Sequence, residues 1–241
     1  MDKTALITGA AHRIGAEIAR SVHLLGYRVA IHYRSNRDAA LRLAASLNDE
    51  RAGSAITLQG DLSLARTAQT LIETIEVQWG RLDLLVNNAS IFEPSDPSIA
   101  CAEAFDSTIA TNIRAPYLLS TNAAVLLRDS SGCIVNLTDI SASRPPSGYA
   151  VYCASKAGLI GLTKAMARDL APEIRVNGVS PGAIIWAEDE DAEHRAEVVE
   201  KTPLGRQGAT TDIAQAVCYL AEAPYVTGHI LEVDGGRSIY I

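Results

Sequence analysis

Short apolar runs alternate with longer segments of helical periodicity along all 241 residues of the chain. Runs rich in leucine and β-branched residues predict seven strands, at residues 6–8, 29–33, 56–58, 84–87, 133–137, 175–179 and 230–233. The intervening amphipathic segments predict helices near residues 14–25, 38–47, 64–78, 111–127, 151–170 and 211–221. Strands that alternate with helices are joined by right-handed crossovers, so we expect a doubly wound parallel sheet with helices on both faces.

The alternation runs through residues 1–241 without a repeat, a low-complexity tract or a Pro/Ser-rich linker. A chain of this length buries roughly 70–75% of its unfolded surface, so one core is sufficient. We therefore predict a single α/β domain. Segment 187–205 breaks the rhythm between the sixth strand and the last helix, and we expect a lid over a substrate there.

Composition and charge argue against two classes of partner. Hydrophobic residues make up 48% of the chain and charged residues 20%, as in ordinary globular proteins. The formal net charge of −7 argues against a nucleic-acid surface, which needs a basic face. No apolar run approaches the roughly 20 residues of a membrane span. We expect neither a nucleic acid nor a membrane as a partner.

The cysteines and histidines show no spacing typical of a disulfide framework or a metal site. Cys101, Cys133, Cys153 and Cys218 are far apart and form no Cys-x-x-Cys pair, so we expect free thiols in a reducing compartment. The five histidines lack metal-ligand spacing, so we expect no metal. The first predicted strand follows Met1 closely with no export signal, which favours a cytoplasmic location.

A glycine-containing turn follows the first strand and reads Thr-Gly-Ala-Ala-His-Arg-Ile-Gly over residues 8–15. Gly9 can adopt the positive φ of a tight turn, and Gly15 allows the next helix to approach the sheet. The free N–H groups at a helix start suit a pyrophosphate. Arg13 stands where the plain G-x-G-x-x-G pattern has its middle glycine. An ordinary strand–helix turn is the alternative, but the position after the first strand favours a dinucleotide site.

The end of the second strand distinguishes NADP from NAD. An acidic residue there would bind the ribose 2′-hydroxyl and repel a 2′-phosphate. The segment instead reads His-Tyr-Arg-Ser-Asn-Arg over residues 32–37. Arg34 and Ser35 can donate hydrogen bonds to a phosphate, which predicts NADPH, although a solvated basic loop is the alternative. Asp61, after the third strand, is a candidate acceptor for the adenine amine, and the small residues around Ala89 are expected to line the cofactor.

Tyr152 and Lys156 stand four residues apart on one predicted helix and therefore on one face. An unperturbed tyrosine has a pKa of about 10, which is high for proton transfer near neutrality. A nearby ammonium favours the phenolate, so we expect Lys156 and the nicotinamide to lower the pKa of Tyr152. Tyr152 is then a general acid for hydride chemistry. A coincidental Tyr-x-x-x-Lys is the alternative, and its place in a sheet with a dinucleotide turn argues against it.

Together these motifs resemble the short-chain dehydrogenase/reductase family. The resemblance covers essentially the whole chain and also includes Asn-Asn-Ala at 87–89, Asn112, Ser-Pro-Gly at 180–182 and Asp-Gly-Gly at 234–236. It implies a seven-stranded Rossmann-type sheet and a catalytic Asn, Ser, Tyr and Lys, of which Asn112 matches the asparagine that holds a water near the lysine. The implied cofactor contacts are Gly9, Arg13, Ile14, Gly15, Tyr33, Arg34, Ser35, Asp61, Leu62, Asn88, Ala89, Lys156, Pro181 and Gly182.

One member of the family's catalytic set is replaced. The family's serine lies thirteen residues before the tyrosine, and that position is Asp139 here. A carboxylate repels the oxygen of a carbonyl substrate but suits proton delivery to a ring nitrogen. The alternative is that Asp139 is a turn residue and Ser141 takes the serine's role.

More specifically, the chain resembles the pteridine reductases, including the bacterial dihydromonapterin reductases. Arg13 in the turn, His-Tyr-Arg-Ser after strand two, Asp139 and the aromatic Phe92 carry this resemblance. It implies that Phe92 lies against a flat pterin, although loop packing is the alternative. The expected substrate contacts are Arg13, Ser90, Phe92, Asp139, Tyr152 and Trp186, with Trp186 capping the pocket.

Our primary hypothesis is an NADPH-dependent pteridine reductase that forms a homotetramer through its last helix and strand. A generic carbonyl or 3-oxoacyl-acyl-carrier-protein reductase is the first alternative. Segment 187–205 holds seven acids against two bases, a net charge of −5, and such a lid would repel acidic carrier proteins. A non-catalytic NADPH-binding sensor is the second alternative.

Overall fold

The computed structural model describes residues 2–96, 98–99, 101–186 and 191–239. The described residues form seven strands, which lie in one parallel sheet with the order β3-β2-β1-β4-β5-β6-β7. They are β1 (Thr4–Ile7), β2 (Arg28–Tyr33), β3 (Ala55–Gln59), β4 (Leu84–Asn87), β5 (Cys133–Leu137), β6 (Arg175–Pro181) and β7 (Ile230–Val233). The predicted fold class is confirmed.

Eight α-helices connect and cover these strands within the described residues. They are α1 (Arg13–Leu24), α2 (Arg37–Glu50), α3 (Ala65–Trp79), α4 (Ala102–Ile109), α5 (Ala115–Ser130), α6 (Ala150–Asp169), α7 (Ala192–Glu200) and α8 (Thr210–Glu222). The helix predicted over residues 111–127 was wrong in its extent. Helical structure begins at Ala102 and passes through a π-helical turn, Ala110–Arg114, between α4 and α5.

Apolar side chains alternate between the two faces of the sheet because successive strand residues point in opposite directions. Ile7 belongs to the core under α1, α2 and α8, and Leu6 belongs to the core under α3, α5 and α6. Both are fully buried, and burial of one such side chain stabilises a fold by about 1.5–3 kcal/mol. The near-continuous apolar strands therefore follow from a sheet that is covered on both sides.

The strand order changes direction between β1 and β4, which are neighbours in the sheet. The loops that follow these two strands separate there and leave a crevice, where ligands bind in open α/β folds. A cavity of about 680 Å³ lies there. Part of the predicted lid, 187–190, lies outside the described residues, and α7 occupies its middle. No helix among the described residues combines the length and apolarity that a bilayer crossing requires.

Candidate active site

The turn after β1 has the geometry that its glycines predict. Gly9 has φ +62°, in the left-handed region that favours glycine. A Cβ on Gly15 would lie 2.4 Å from Gly9 O and 2.6 Å from the Asn88 side-chain nitrogen. Only glycine therefore allows α1 to begin this close to the turn.

Thr8 and Asn88 fasten this turn to the end of β4. The Thr8 hydroxyl oxygen accepts hydrogen bonds from Asn88 N at 2.9 Å and Ala89 N at 3.0 Å. The Asn88 side chain donates to Thr8 O at 2.8 Å and Gly9 O at 3.1 Å. The loops at the two strand ends thus form one rigid wall of the crevice.

Helix α1 points its N-terminus at the crevice. His12 precedes the helix without capping it through its side chain, and Ala16 N bonds back to His12 O at 3.3 Å. The N–H groups of the first helical turn have no partner within a helix and suit an anion. Arg13 is exposed and has φ +54°, a conformation that costs a non-glycine residue about 1–3 kcal/mol. The substitution of the middle glycine is therefore accommodated by backbone strain.

The loop after β2 brings Tyr33, Arg34 and Ser35 to the same cavity. Asn36 also lines this edge of the cavity, but its side chain caps α2 by accepting from Ala39 N at 3.3 Å. The pKa of Asp61 is lowered, first by hydrogen bonds from Ser63 and then by charges that include Arg34. An exposed guanidinium and a serine hydroxyl remain at this edge, where the sequence predicts the 2′-phosphate.

His32 is a residue of this region to which the sequence analysis assigned no role. Its imidazole is 1% exposed, accepts from Gly9 N at 3.1 Å and lies 3.1 Å from Gly60 O. A histidine inside an otherwise apolar strand was the signal available in the sequence.

The end of β5 meets α6 through Asp139, Tyr152 and Lys156. The Tyr152 hydroxyl donates to Asp139 Oδ2 at 2.7 Å, while Asp139 Oδ1 accepts from Ser141 N at 2.8 Å. Lys156 Nζ donates to Leu137 O at 2.7 Å and lies 5.6 Å from the centroid of the Tyr152 ring. Asp139 is thus both a turn residue, capping the short 3-10 helix Ile140–Ala142, and the partner of Tyr152.

One electrostatic expectation for this cluster requires correction. Burial, followed by the charge and hydrogen bond of Asp139, raises the pKa of Tyr152 above its ordinary value. The expected lowering by Lys156 does not occur in this structure, because the Tyr152 hydroxyl faces a carboxylate. Burial lowers the pKa of Lys156 to about 8, and Asp139 partly opposes this shift.

Asn112 lies behind the cavity and is not among the described residues that border it. The π-helical turn directs its side chain to the loop after β4, where Oδ1 accepts from Ile91 N at 2.8 Å and from the Ser90 hydroxyl at 3.3 Å. Its amide nitrogen donates to Ile91 O and Ser155 Oγ, both at 3.0 Å. Asn112 therefore joins α6 to the loop that carries the candidate substrate residues.

An aromatic cluster forms the substrate end of the cavity. Phe92 stacks on Tyr149 with ring centroids 4.5 Å apart and an 8° angle between the planes. The same Phe92 ring meets Tyr152 edge-on at 4.6 Å. Phe92 is still 57% exposed, so part of its surface faces the opening. Tyr149 was missed in the sequence because tyrosine in a loop carries no periodic signal.

Trp186 does not cap this cavity in the structure, contrary to the expectation. It is absent from the described residues that line the cavity, and the Arg195 guanidinium on α7 lies 6.0 Å from its ring centroid. Ile184 and Ile185 border the cavity at this end.

The cavity as a whole fits a dinucleotide. It extends from the α1 N-terminus to Tyr152 and borders every residue that the sequence analysis assigned to the cofactor. A Cβ at Gly15 would collide with the turn, so glycine at this position lets the start of α1 lie against the turn at this end of the cavity. Arg13, Ile14 and Gly15 line the end of the cavity at α1, and Arg34 and Ser35 line its edge after β2.

Comparison with known proteins gives matches over nearly the whole chain. A family model described as Enoyl-(Acyl carrier protein) reductase matches residues 9–238. Pteridine reductase 1 of Leishmania tarentolae is 36% identical over 277 residues, which cover 98% of this chain and 96% of that protein. The 3-oxoacyl-(acyl-carrier-protein) reductases of Staphylococcus epidermidis and Bos taurus are 36% and 37% identical and cover 98% and 99% of this chain. Each is covered over 99% of its own length.

The chain belongs to the short-chain dehydrogenase/reductase family, as its motifs predicted. It is an oxidoreductase of the class that uses a reduced nicotinamide dinucleotide, and the prediction of an enzyme is confirmed. The relatives named as pteridine reductase and as 3-oxoacyl reductases match it at similar identity, so the substrate must be inferred from the site itself.

Proposed function

We propose that this protein is an NADPH-dependent pteridine reductase that converts a dihydropterin to a tetrahydropterin, and we extend the proposal to oxidised pterins. The observation that carries it is the 2.7 Å hydrogen bond between Tyr152 Oη and Asp139 Oδ2. Reduction of a ketone needs a hydroxyl that donates to the carbonyl oxygen, and this chain has at that position a carboxyl group already engaged by Tyr152. A ring nitrogen instead gains a proton, which an acid at this position can supply.

In the proposed reaction, one C=N bond of the pterin becomes a C–H and an N–H bond. The reduced nicotinamide, when bound, supplies the hydride to the ring carbon. Tyr152 supplies the proton to the adjacent nitrogen. In the free protein, burial and the Asp139 contact raise the pKa of Tyr152 and keep its hydroxyl protonated, so release of this proton depends on the charged groups around it.

Proton donation by Tyr152 requires a second proton in the cluster. If Asp139 stayed ionised, donation would leave two negative charges across the 2.7 Å contact. We therefore propose that Asp139 carries a proton in the productive complex and passes it to Tyr152 Oη as Tyr152 gives up its own. The ammonium of Lys156, buried beside the tyrosine ring, stabilises the negative charge that develops on the cluster.

The pterin ring is proposed to lie against the exposed part of Phe92. The stack on Tyr149 and the edge contact with Tyr152 fix the plane of the Phe92 ring. A flat heterocycle gains area and favourable ring contacts there at little conformational cost. Arg13 and Ser90 border the same cavity and would supply polar contacts to the pterin's edge.

Reduction of a 3-oxoacyl thioester is the second candidate, because two relatives with that name match as well as the pteridine reductase does. That reaction needs a hydroxyl that donates to the carbonyl oxygen. The neighbouring hydroxyls are less suitable, since Thr138 donates to Val179 O at 2.9 Å and Ser141 is not among the described residues that line the cavity. The pterin proposal is therefore favoured.

The experiment that tests the proposal is NADPH oxidation by the purified protein with dihydrobiopterin, dihydromonapterin, dihydrofolate or an acetoacetyl thioester. We expect kcat/KM for a dihydropterin to exceed that for the thioester by roughly a hundredfold or more. Tyr152→Phe should abolish turnover, and Tyr149→Phe, the same change on a neighbouring ring, should preserve it. A thioester that is the better substrate would overturn the proposal in favour of the second candidate.

We also propose NADPH over NADH as the cofactor, a cytoplasmic location and assembly as a homotetramer. Arg34 and Ser35 at the cavity edge support the cofactor preference. Four free cysteines are in keeping with a reducing compartment. Exposed apolar side chains near β7 support the assembly.

A further inference from the structure

His32 makes three contacts that join the carboxyl ends of β1, β2 and β3. Its Nδ1 accepts from Gly9 N at 3.1 Å, and its backbone oxygen accepts from Ala10 N at 2.8 Å. Its Nε2 lies 3.1 Å from Gly60 O, after β3. Two consecutive N–H groups of the phosphate-binding turn therefore bond to one residue of β2.

These contacts define the tautomer of His32. A carbonyl oxygen can only accept, so Nε2 must carry the proton and Nδ1 must be the acceptor for Gly9 N. Both nitrogens of the neutral ring are then satisfied in a fully buried position. A second proton on Nδ1 would face the Gly9 N–H and break that bond.

The electrostatic environment maintains this neutral form. Burial lowers the pKa of His32 to about 4, and the Gly60 carbonyl and the Asp61 carboxylate only partly oppose this shift. His32 is thus uncharged at neutral pH, and it contributes hydrogen bonds and geometry rather than charge to the cavity that it borders.

The position of His32 indicates which parts of the cavity its contacts hold together. The turn around Gly9 is the candidate pyrophosphate site, and Arg34 and Ser35, two and three residues beyond His32, form the candidate 2′-phosphate site. Tyr33, between His32 and Arg34, adds a further contact to the end of β3, because its backbone oxygen accepts from Gly60 N at 3.0 Å. The separation of the two phosphate sites is therefore set across one buried side chain.

We propose that His32 is a positioning residue that holds the pyrophosphate turn and the 2′-phosphate loop at the separation that NADPH requires. The inference rests on the NADPH preference in the proposed function and deepens it. A ligand that occupies both sites gains from their fixed separation, whereas a ligand that occupies one site does not.

The test compares two isosteric variants by cofactor-fluorescence and calorimetric titration. His32→Asn places an amide oxygen near the position of Nδ1 and keeps an acceptor for Gly9 N. His32→Gln extends towards Gly60 O and leaves Gly9 N without its acceptor. The ligands are NADPH, which spans both sites, NADH, which lacks the 2′-phosphate, and adenosine 2′-monophosphate, which lacks the pyrophosphate.

We expect His32→Gln to raise the Kd of NADPH roughly tenfold or more, the effect of one lost buried hydrogen bond. The Kd values of NADH and adenosine 2′-monophosphate should change less than about threefold, because neither ligand depends on the separation of the two phosphate sites. His32→Asn should restore most of the NADPH affinity. His23→Leu removes another buried histidine, whose Nε2 lies 2.7 Å from Ser54 Oγ far from the cavity, and should leave all three affinities unchanged.

Two results would overturn the inference. An NADPH Kd within about twofold of wild type in His32→Gln would show that the His32 contacts do not affect NADPH binding, since loss of a buried hydrogen bond should raise the Kd by more than twofold. Equal weakening of all three ligands would show a general structural role. If wild type itself does not prefer NADPH, the proposed cofactor fails, and this outcome is distinct from either result on the variants.

Discussion

The Tyr152 hydroxyl donates a 2.7 Å hydrogen bond to Asp139, which lies thirteen residues earlier in the chain. The other Asp139 oxygen accepts from Ser141 N, so the carboxylate has a fixed orientation. The two side chains therefore form one hydrogen-bonded pair. Asp139 of this pair stands at the position of the serine expected from the family resemblance. The effect of substitutions at Asp139 is expected to distinguish reduction of a ring C=N bond from reduction of a ketone.

The first prediction concerns Asp139. Asp139→Ala should lower pterin turnover by roughly 10²–10⁴, the usual contribution of general acid–base catalysis. Asp139→Ser should lose pterin turnover and gain weak reduction of a simple diketone, because it restores the hydroxyl donor. Both rates are measured by NADPH oxidation.

The NADPH Kd should stay nearly constant in both variants, since Asp139 belongs to the substrate end of the cavity. If Asp139→Ala retains near-wild-type pterin turnover, the residue only caps its turn and the pteridine proposal loses its mechanistic support.

The second prediction concerns the pH dependence of kcat/KM. The pKa of Lys156 is about 8 in the free enzyme, so the ammonium is present below that pH and is lost above it. If the ammonium is required, kcat/KM falls as pH rises above 8. Asp139 raises the pKa of Lys156, so Asp139→Asn should move this decline to lower pH in the residual activity.

Asp38→Asn removes a carboxylate at the exposed start of α2 and serves as the control, which should leave the profile unchanged. A decline at the same pH in Asp139→Asn and wild type would show that Lys156 does not set it.

The sheet and much of the cavity could be predicted because they depend on local patterns. Strand–helix alternation specifies the topology, and the spacing of Tyr152 and Lys156 specifies a shared helix face. The contacts of His32 and Tyr149 join segments that are distant in sequence, and no periodicity reports them. The predicted shift in the pKa of Tyr152 had the wrong direction in this structure. Desolvation and the Asp139 contact raise that pKa, and both depend on burial, which residue spacing does not report.

The third prediction concerns cofactor preference. Arg34→Asp should replace a charge-assisted bond to the 2′-phosphate by repulsion, and the lost bond alone costs roughly 1.5–3 kcal/mol. We expect the ratio of kcat/KM for NADPH to that for NADH to invert. Arg37→Asp makes the same charge change nearby, at a residue that is not among those bordering the cavity, and should preserve the ratio. Equal efficiency with both cofactors in wild type would contradict the assignment.

The fourth prediction is a homotetramer in solution. Leu204, Tyr219 and Ile239 are exposed by 68%, 57% and 72%, and Leu204 and Ile239 border one groove beside β7. An apolar surface at a sheet edge is stabilised when a second chain covers it. Light scattering at micromolar concentration should give about four times 25.6 kDa. Leu204→Lys should lower the mass, and Leu24→Lys on the exposed end of α1 should not. A monomer mass for wild type would contradict the assembly.

The fifth prediction concerns the strained backbone at Arg13. Its φ of +54° is one of two positive values at described non-glycine residues, the other being +52° at Ser131, after α5. Arg13→Gly and Ser131→Gly should each relieve left-handed strain and raise the free energy of unfolding by up to about 1 kcal/mol in chemical denaturation.

The two variants should differ in kinetics. Arg13 borders the cavity, so loss of its guanidinium should raise the KM for a dihydropterin by one to two orders of magnitude, corresponding to roughly 1.5–3 kcal/mol for a lost charge-assisted bond. Ser131 follows the C-terminus of α5 and is not among the described residues that line the cavity, so Ser131→Gly should keep wild-type kinetics. Strain at Arg13 would then be retained for binding. If Arg13→Gly is stabilised and kinetically unchanged, the arginine has no role in binding, and its strain has no functional cause.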